Sequence, residues 1–207
     1  MKKIMSLAAA LVLLTSSAMA QASFGVGYMN PTHPNTADPL TGFYAGLDYN
    51  IHISGDFSVA PGIYYSYSFK NTTNTVSAFG FTATGKTNFT EQYINVPVNF
   101  NYGLDLAKDF RLSIYAGPTF SYGLSSTYKL DSSFTGIGST SSSAISLYGD
   151  NSNYKNFDIL IGGGVAFDYC NQFRISLGYN YGLLDRNALE SISYKRNYLH
   201  MGLAWLF

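Results

Sequence analysis

Charged side chains are scarce in this sequence: Asp, Glu, Lys and Arg make up 12% of its 207 residues, against about 25% in an ordinary soluble domain. Its 12 basic and 12 acidic residues cancel to a formal net charge of zero. A nucleic-acid partner is not expected, because binding phosphates needs a basic excess. A hydrophobic content of 46% argues against a disordered chain. A surface so poor in charge is short of solvating groups unless part of it faces lipid.

Cysteine and long apolar runs are also lacking. Cys170 is the only cysteine, so no intramolecular disulfide can form. One cysteine and three scattered histidines give no metal-ligand spacing, and no metal or cofactor is expected. No segment has 18 consecutive apolar residues, so the sequence predicts no transmembrane helix.

The first twenty residues have the pattern of a secretory signal peptide. Lys2 and Lys3 form a basic start, residues 7–14 are an apolar run too short to span a membrane, and Ala18-Met19-Ala20 is a small-x-small cleavage site. We therefore expect residues 1–20 to be removed and residues 21–207 to form one exported domain.

Apolar residues alternate with small or polar ones through the rest of the chain. At the C-terminus Leu199, Met201, Leu203, Trp205 and Phe207 share one face, which predicts a strand with that face in apolar surroundings. Seven further segments show the same period of two. The predicted strands span 22–28, 43–51, 57–69, 94–105, 110–122, 157–169, 173–182 and 198–207.

The connections between these strands alternate in length, which predicts an eight-stranded antiparallel up-and-down transmembrane β-barrel. Outer-membrane barrels have short periplasmic turns and long extracellular loops. An even number of strands places both termini in the periplasm. Residues 125–156 are interpreted as a mobile loop. An extended hairpin at the base of this loop is an alternative that the sequence does not decide. The long connections are 30–40, 70–88 and 125–156, the short ones 54–56, 106–109 and 171–172, and 185–191 is intermediate.

The apolar face is predicted to point outward. A soluble lipocalin-like barrel with an apolar interior is the alternative, but a narrow eight-stranded lumen suits the small, glycine-rich face better. Aromatic residues also gather at both strand ends, as in interfacial belts. The periplasmic belt is Phe57, Tyr102, Phe110, Tyr169, Phe173, Trp205 and Phe207, and the other belt is Tyr28, Phe43, Tyr67, Phe69, Tyr122, Phe157 and Tyr181.

A few charged residues fall on the inward face and form the candidate lumen network. Buried charges need partners, so we expect a hydrogen-bonded plug of charge pairs. A narrow path for small solutes is the alternative. The predicted network is Asp48, Arg111, Asp158, Asp168, Arg174, Arg196 and His200, with Asp105 and His52 on the same face.

Several segments together resemble a known family. The C-terminal pattern Leu199-x-Met201-x-Leu203-x-Trp205-x-Phe207 resembles the signal read by the barrel assembly machinery. Five segments in this order resemble the PorT-like outer-membrane β-barrel domain of Bacteroidetes, and more distantly the outer-membrane protein X and W families: GFYAGLDYNI, FSVAPGIYYSYS, YINVPVNFNYGL, FRLSIYAGPTFSYGL, and FDILIGGGVAFDY with FRISLGYNYGLLD. This resemblance implies an integral protein of the bacterial outer membrane, in contact with lipid and lipopolysaccharide, and no single activity.

An enzyme is not predicted, although some small outer-membrane barrels modify lipids. Such activity needs a Ser or Asp activated by a His. The histidines are His33, His52 and His200, and no G-x-S-x-G elbow occurs. A lipid-modifying enzyme therefore stays a second alternative, behind the solute path.

The long loops offer a binding function for a monomeric barrel. They are nearly uncharged, and strands protruding from them could offer edges to a surface partner. Poorly ordered surface loops without a partner are the alternative interpretation. The loop residues expected to be exposed are Phe79, Phe81, Phe134, Ile137 and Tyr148.

Overall fold

A computed structural model describes residues 20–32, 38–78, 81–135, 140–148, 154–187 and 194–207. The predicted signal peptide lies outside these residues apart from Ala20. No helix in the described ranges is long and apolar enough to cross a membrane. The described strands are β1 (Ala20–Pro31), β2 (Thr41–Ser54), β3 (Phe57–Ala78), β4 (Phe81–Ala107), β5 (Phe110–Thr135), β6 (Thr140–Ser146), β7 (Phe157–Tyr169), β8 (Phe173–Gly182) and β9 (Tyr198–Leu206).

Eight of these strands close into a ring, which confirms the predicted antiparallel barrel. Each strand pairs with its neighbour in sequence, except that β5 pairs with β7 and β1 pairs with β9. The closing ladder runs from the pair Ser23–Leu206 to the pair Pro31–Tyr198. Strand β6 pairs with β5 alone and lies outside the ring.

Three tight turns and both ends of the described chain lie at one end of the barrel, the short-turn end. Gly55, in the β2–β3 turn, has φ +58°. The β7–β8 turn has Cys170 and Asn171 at its centre with φ 53° and 52°, and the Gln172 N–H donates to the Tyr169 carbonyl at 3.1 Å. Positive φ at both central residues is typical of a type I′ hairpin turn. The short connection predicted at 171–172 lies within this turn, which also includes Cys170.

The apolar face points outward, as predicted, and this excludes the soluble barrel with an apolar interior. Along β9, Leu199, Met201, Leu203 and Trp205 are about half exposed, whereas Tyr198 is buried. At the short-turn end the predicted aromatic belt forms cross-strand ring pairs. These pairs are Phe57–Tyr102 at 4.8 Å, Phe110–Tyr169 at 5.1 Å and Phe173–Trp205 at 5.3 Å between centroids.

Strands β3, β4 and β5 continue well beyond the wall at the opposite end, the long-loop end. Their ladders extend to the pairs Ala78–Phe81 and Thr82–Thr135, so the prediction of loops is wrong for residues 70–78, 81–88 and 125–135. The alternative of a hairpin at the base of residues 125–156 is correct, because β6 pairs with β5. Residues 70–78, 81–92, 125–135 and 140–146 form a four-stranded protruding sheet, about 30 Å tall at roughly 3.3 Å per residue.

Candidate functional site

The lumen is filled by tyrosine rings that lie over glycines of neighbouring strands. The Tyr44 ring lies where a Cβ at Gly27 or Gly202 would collide with it, and the Tyr115 hydroxyl occupies the equivalent space above Gly178. The glycines predicted to suit a crowded interior therefore do so because they leave room for large side chains from across the lumen.

Two ion-pair groups lie at the short-turn end. Arg174 on β8 donates from Nε and Nη2 to the two carboxylate oxygens of Asp168 on β7, at 2.6 and 2.8 Å. Arg111 on β5 donates to Asp105 at 2.7 Å and lies 3.7 Å from Asp56. The first pair is largely buried and the second lies at the exposed rim. The structure thus pairs three of the predicted network residues, Arg111, Asp168 and Arg174, with opposite charges.

Above Arg174 lies a cavity of about 140 Å³, which we call the tyrosine chamber. The Tyr64 hydroxyl donates to Asp48 Oδ2. Three buried polar atoms of residues that line this cavity have no hydrogen-bond partner in the described part of the chain: Asp48 Oδ1, Tyr115 Oη and His200 Nε2. Four tyrosines, an aspartate and a histidine converge here: Tyr44, Tyr64, Tyr115, Tyr198, Asp48 and His200.

A second buried group closes the lumen at the long-loop end, and we call it the arginine cap. It consists of Glu91, Tyr93, Tyr148, Arg186, Tyr194 and Arg196.

Arg186 is the centre of the arginine cap. One nitrogen of its guanidinium, Nη1, donates to the Tyr93 hydroxyl, and Nη2 donates to the Tyr148 hydroxyl. The same Nη1 lies 3.9 Å from the carboxylate of Glu91. The guanidinium carbon lies 5.0 to 5.7 Å from the ring centroids of Tyr93, Tyr148 and Tyr194, within cation–π range. Both Arg186 and Glu91 are 1% exposed.

Arg196 lies below Arg186 between two rings. Its guanidinium carbon is 3.8 Å from the Tyr93 centroid and 5.0 Å from the Tyr198 centroid, and its Nη1 donates to Ser121 Oγ at 3.1 Å. Asp158, also fully buried, pairs with Ser121 across the β5–β7 ladder. Within the described residues neither Arg196 nor Asp158 has an oppositely charged partner inside 4 Å, so the predicted charge pairing is wrong for these two.

A chain of hydroxyls connects the cap. The Tyr148 hydroxyl donates to the Tyr93 hydroxyl at 3.1 Å, and Tyr93 donates to Glu91 Oε1 at 2.7 Å. Burial raises the pKa of Tyr148, an effect that outweighs the opposing charge of Arg186. Burial also raises the pKa of Tyr194 well above its usual value. Both phenols therefore stay protonated and act as neutral donors at physiological pH.

Backbone hydrogen bonds hold the cap across the mouth. The Arg186 N–H donates to the Tyr194 carbonyl at 2.9 Å, and the Lys155 N–H donates to the Arg186 carbonyl at 2.8 Å. The Arg186 side chain also donates to the Lys155 carbonyl at 3.3 Å. Residues that follow β8 are thereby tied to those that precede β7 and β9.

Four of the six cap residues, Glu91, Tyr93, Arg186 and Tyr194, were not predicted from the sequence, and a fifth, Tyr148, was predicted wrongly. Glu91 lay between the predicted connection at 70–88 and the strand predicted from residue 94, although it continues the alternation that points Tyr93 and Asn95 inward. Arg186 lies beyond the end of β8, where no periodicity points to it. Tyr148, expected to be exposed, is instead half-buried beneath Arg186. His33, Phe79 and Ile137 lie outside the described residues.

The protruding sheet has two free edges among the described residues. Beyond the pair Thr41–Phe69, residues 70–78 pair only with β4, and β6 pairs only with β5. One face continues the lipid-facing side of the wall but carries hydroxyls. Thr75 and Thr84 lie 3.4 Å apart through their Oγ1 atoms, and Ser77 and Thr82 lie 3.0 Å apart.

A family model described as an outer membrane protein beta-barrel domain matches residues 15–186. No curated protein matches the chain.

Solved structures with a similar strand arrangement include three membrane proteins. Ail, the attachment invasion locus protein of Yersinia pestis, solved with the heparin analogue sucrose octasulfate, is 16% identical with a TM-score of 0.45, over 91% of this chain and 99% of that one. Neisserial surface protein A is 14% identical with a TM-score of 0.48, over 91% and 97%. The outer membrane enzyme PagL is 10% identical with a TM-score of 0.47, over 89% and 97%. These likenesses carry no argument about activity.

Proposed function

Because the chain belongs to the outer membrane protein beta-barrel domain family, we propose that it is a monomeric, non-catalytic barrel whose protruding sheet binds a surface partner. Its integral outer-membrane location follows from the family and fits the apolar outer wall. The PorT-like type, export by residues 1–20 and recognition of Leu199, Met201, Leu203, Trp205 and Phe207 by the assembly machinery belong to the same proposal, as do contacts of the wall with lipid and lipopolysaccharide.

The proposal places the long-loop end outside the cell. Three tight turns and both ends of the described chain share the opposite end, and short turns are periplasmic in outer-membrane barrels. Protease treatment of intact cells followed by mass spectrometry tests this orientation. We expect cleavage only in the protruding sheet and the connections at its end. Cleavage at the turns around Gly55 or Cys170 would contradict it.

The two free edges of the protruding sheet carry the binding proposal. An edge strand presents unpaired N–H and C=O groups to which an extended partner segment can add as a further strand. Exposed edges are usually protected by charges, prolines or bulges. Strand β6 has the sequence TSSSAIS, without charge or proline, so it is an unprotected template.

A pair of matched variants tests the edges. Ser142→Lys with Ala144→Lys places two charges on edge strand β6, whereas Thr84→Lys with Asn88→Lys places two on the same face of the interior strand β4. Binding is measured as adhesion of expressing cells to surfaces coated with serum proteins or with envelopes of the same species. We expect the β6 variant to fall to the level of cells lacking the protein and the β4 variant to keep most of its adhesion.

Two outcomes would contradict the edge proposal. One is wild-type adhesion no greater than that of cells lacking the protein on every surface. The other is an equal loss in both variants, which would indicate a charge effect of the whole face. Surface labelling of intact cells controls for equal display of the three proteins.

The filled lumen supports a barrel that does not conduct. The arginine cap closes one end, and the chamber beneath it holds only about 140 Å³. We expect no steady current from the purified protein in planar bilayers. A stable single-channel current that scales with salt concentration would favour the alternative, a narrow solute path.

The histidine environment supports a non-catalytic role. His200 Nε2 has no hydrogen-bond partner in the described part of the chain, so no Ser–His pair forms there of the kind that acyl hydrolases need. Lipid A mass spectra with and without expression should be the same. A new lipid A species would revive the enzyme alternative.

A further inference from the structure

The tyrosine chamber carries unused hydrogen-bonding capacity. Asp48 Oδ1, Tyr115 Oη and His200 Nε2 are all buried, and all lack partners among the described residues. The three side chains line the same cavity. Buried polar atoms without partners are costly, so three of them around one cavity indicate that something polar occupies it.

The charge balance around the chamber is negative. Asp168 accepts hydrogen bonds from Nε and Nη2 of Arg174, so these two charges cancel. Asp48 accepts a hydrogen bond from Tyr64 but forms no ion pair within 4 Å among the residues described. One carboxylate oxygen therefore lies at the cavity with no ion-pair partner inside 4 Å in the described residues, and a buried carboxylate is stabilised most by a cation that also donates a hydrogen bond.

The walls suit an organic cation better than a bare metal ion. Tyrosine rings from β2, β3, β5 and β9 surround the space, and the Tyr44 and Tyr64 rings meet edge to face at 5.7 Å. Aromatic rings attract ammonium groups and pack against the attached carbons. The apolar side chains of Met29 and Pro97 also line the space, and asparagine, serine and threonine side chains line other parts of it. No cluster of three metal-binding side chains occurs among the described residues.

We propose that the tyrosine chamber binds one small primary ammonium compound, with its nitrogen on Asp48 Oδ1 and its carbons against the tyrosine rings. An engineered apolar cavity of about 150 Å³ holds benzene, which has six heavy atoms. A ligand of six or seven heavy atoms therefore fits the chamber. This site is separate from the edges of the protruding sheet.

The test uses a cation and its neutral counterpart of the same size. The protein is refolded into detergent with cyclohexylammonium or with cyclohexanol, exchanged into probe-free buffer and analysed by native mass spectrometry. Loading during refolding removes any need for a route past the arginine cap. We expect one cyclohexylammonium per barrel and at least tenfold less cyclohexanol, since the neutral probe cannot make the charge-assisted hydrogen bond.

Variants then locate the site. Asp48→Asn keeps the shape but removes the charge, and we expect at least a tenfold loss of cyclohexylammonium. Asp105→Asn removes a carboxylate at the rim outside the chamber, and we expect binding within twofold of wild type. Tyr115→Phe deletes a hydroxyl that has no protein partner, so the barrel should fold, and binding should weaken several-fold.

Each remaining outcome overturns the proposal. Equal occupancy in wild type and Asp48→Asn would show binding elsewhere, and equal occupancy by both probes would show a purely apolar cavity. An empty wild-type barrel would mean that the chamber holds water only. The heat-dependent shift of folded barrels on gels confirms folding. If Asp48→Asn does not fold by this criterion, Tyr115→Phe and the comparison of the two probes still test the proposal.

Discussion

The two ends of the lumen bury arginine in different ways. At the short-turn end, Arg174 is neutralised by one carboxylate that binds it through two hydrogen bonds. At the long-loop end, Arg186 and Arg196 are buried more deeply, at 1% and 0% exposure. Yet within the described chain Glu91 is the only carboxylate inside 4 Å of either guanidinium. Tyrosine hydroxyls and ring faces, the Ser121 hydroxyl and the Lys155 carbonyl supply the other contacts.

This difference shows what each kind of contact can hold together. The bidentate pair of Asp168 and Arg174 joins two neighbouring strands, β7 and β8, which their own ladder already connects. The rings around Arg186 come from three separate parts of the chain: Tyr93 on β4, Tyr148 after β6 and Tyr194 before β9. The cap therefore fixes connections that no sheet ladder reaches.

The largest effect is expected from Arg186→Met. This change removes a cation from beside buried Glu91 and leaves three tyrosines without their central contact, so we expect a loss of about 3–5 kcal/mol in unfolding free energy. Urea unfolding of the detergent-refolded protein measures it. Hydrogen exchange should also speed up at the amides of Lys155 and Arg186. A loss below about 1 kcal/mol would show that the cap does not hold the mouth.

Arg174→Met should cost less, about 2–4 kcal/mol, because the buried Asp168 keeps some access to water. The informative comparison is the double change of Arg174→Met with Asp168→Leu, which we expect to restore stability to within about 1 kcal/mol of wild type. Exchange at the cap should not change in either protein. If the double variant is as unstable as Arg174→Met alone, the pair contributes to stability beyond the mutual neutralisation of its two charges.

Tyr148→Phe keeps the ring under Arg186 and removes only the hydroxyl shared with Tyr93. We expect a loss of about 1–2 kcal/mol in unfolding free energy, since the buried Arg186 Nη2 loses the Tyr148 hydroxyl as an acceptor. The same unfolding measurement detects it. The matched change Tyr181→Phe, on the exposed outer wall, should be neutral, and an equal effect there would remove the distinction.

The smallest effect is expected from Arg111→Gln. Arg111 is 30% exposed at the short-turn rim, and ion pairs in contact with water contribute at most about 1 kcal/mol. Raising the salt concentration should weaken the wild type slightly and the variant not at all. A loss comparable to that of Arg174→Met would mean that the rim is shielded from solvent.

The barrel wall was predictable because lipid imposes a strict pattern on it. Strands β7 and β8 begin and end where the alternation predicted, since each outward residue meets an apolar environment. The protruding sheet was not predictable in this way. Residues 70–78 and 140–146 carry hydroxyls on both faces because water surrounds them, so a period of two leaves no trace in hydropathy.

The lumen was predictable only in part for a related reason. Parity places Asp168, Arg174 and His200 inward, and the structure has them there. The alternation along a strand does not show which inward side chains meet across the lumen, because those contacts depend on the shear of the barrel and on side-chain length. The contact between Arg196 and Tyr93 therefore had no signature in the sequence, and neither did the entry of Arg186 from a connection.

The pairing of β1 with β9 has a consequence for how the barrel assembles. The ring has seven other ladders. Six of them join strands that are consecutive in the chain, and the seventh joins β5 to β7. The entropic cost of closing the loop between the paired strands is therefore small for these ladders. The ladder from Ser23–Leu206 to Pro31–Tyr198 joins opposite ends of the described chain. Until it forms, two strand edges would face lipid with unpaired backbone groups, which lipid does not tolerate. We therefore expect insertion and closure to occur in a single kinetic phase in refolding experiments, with no long-lived open sheet in the membrane.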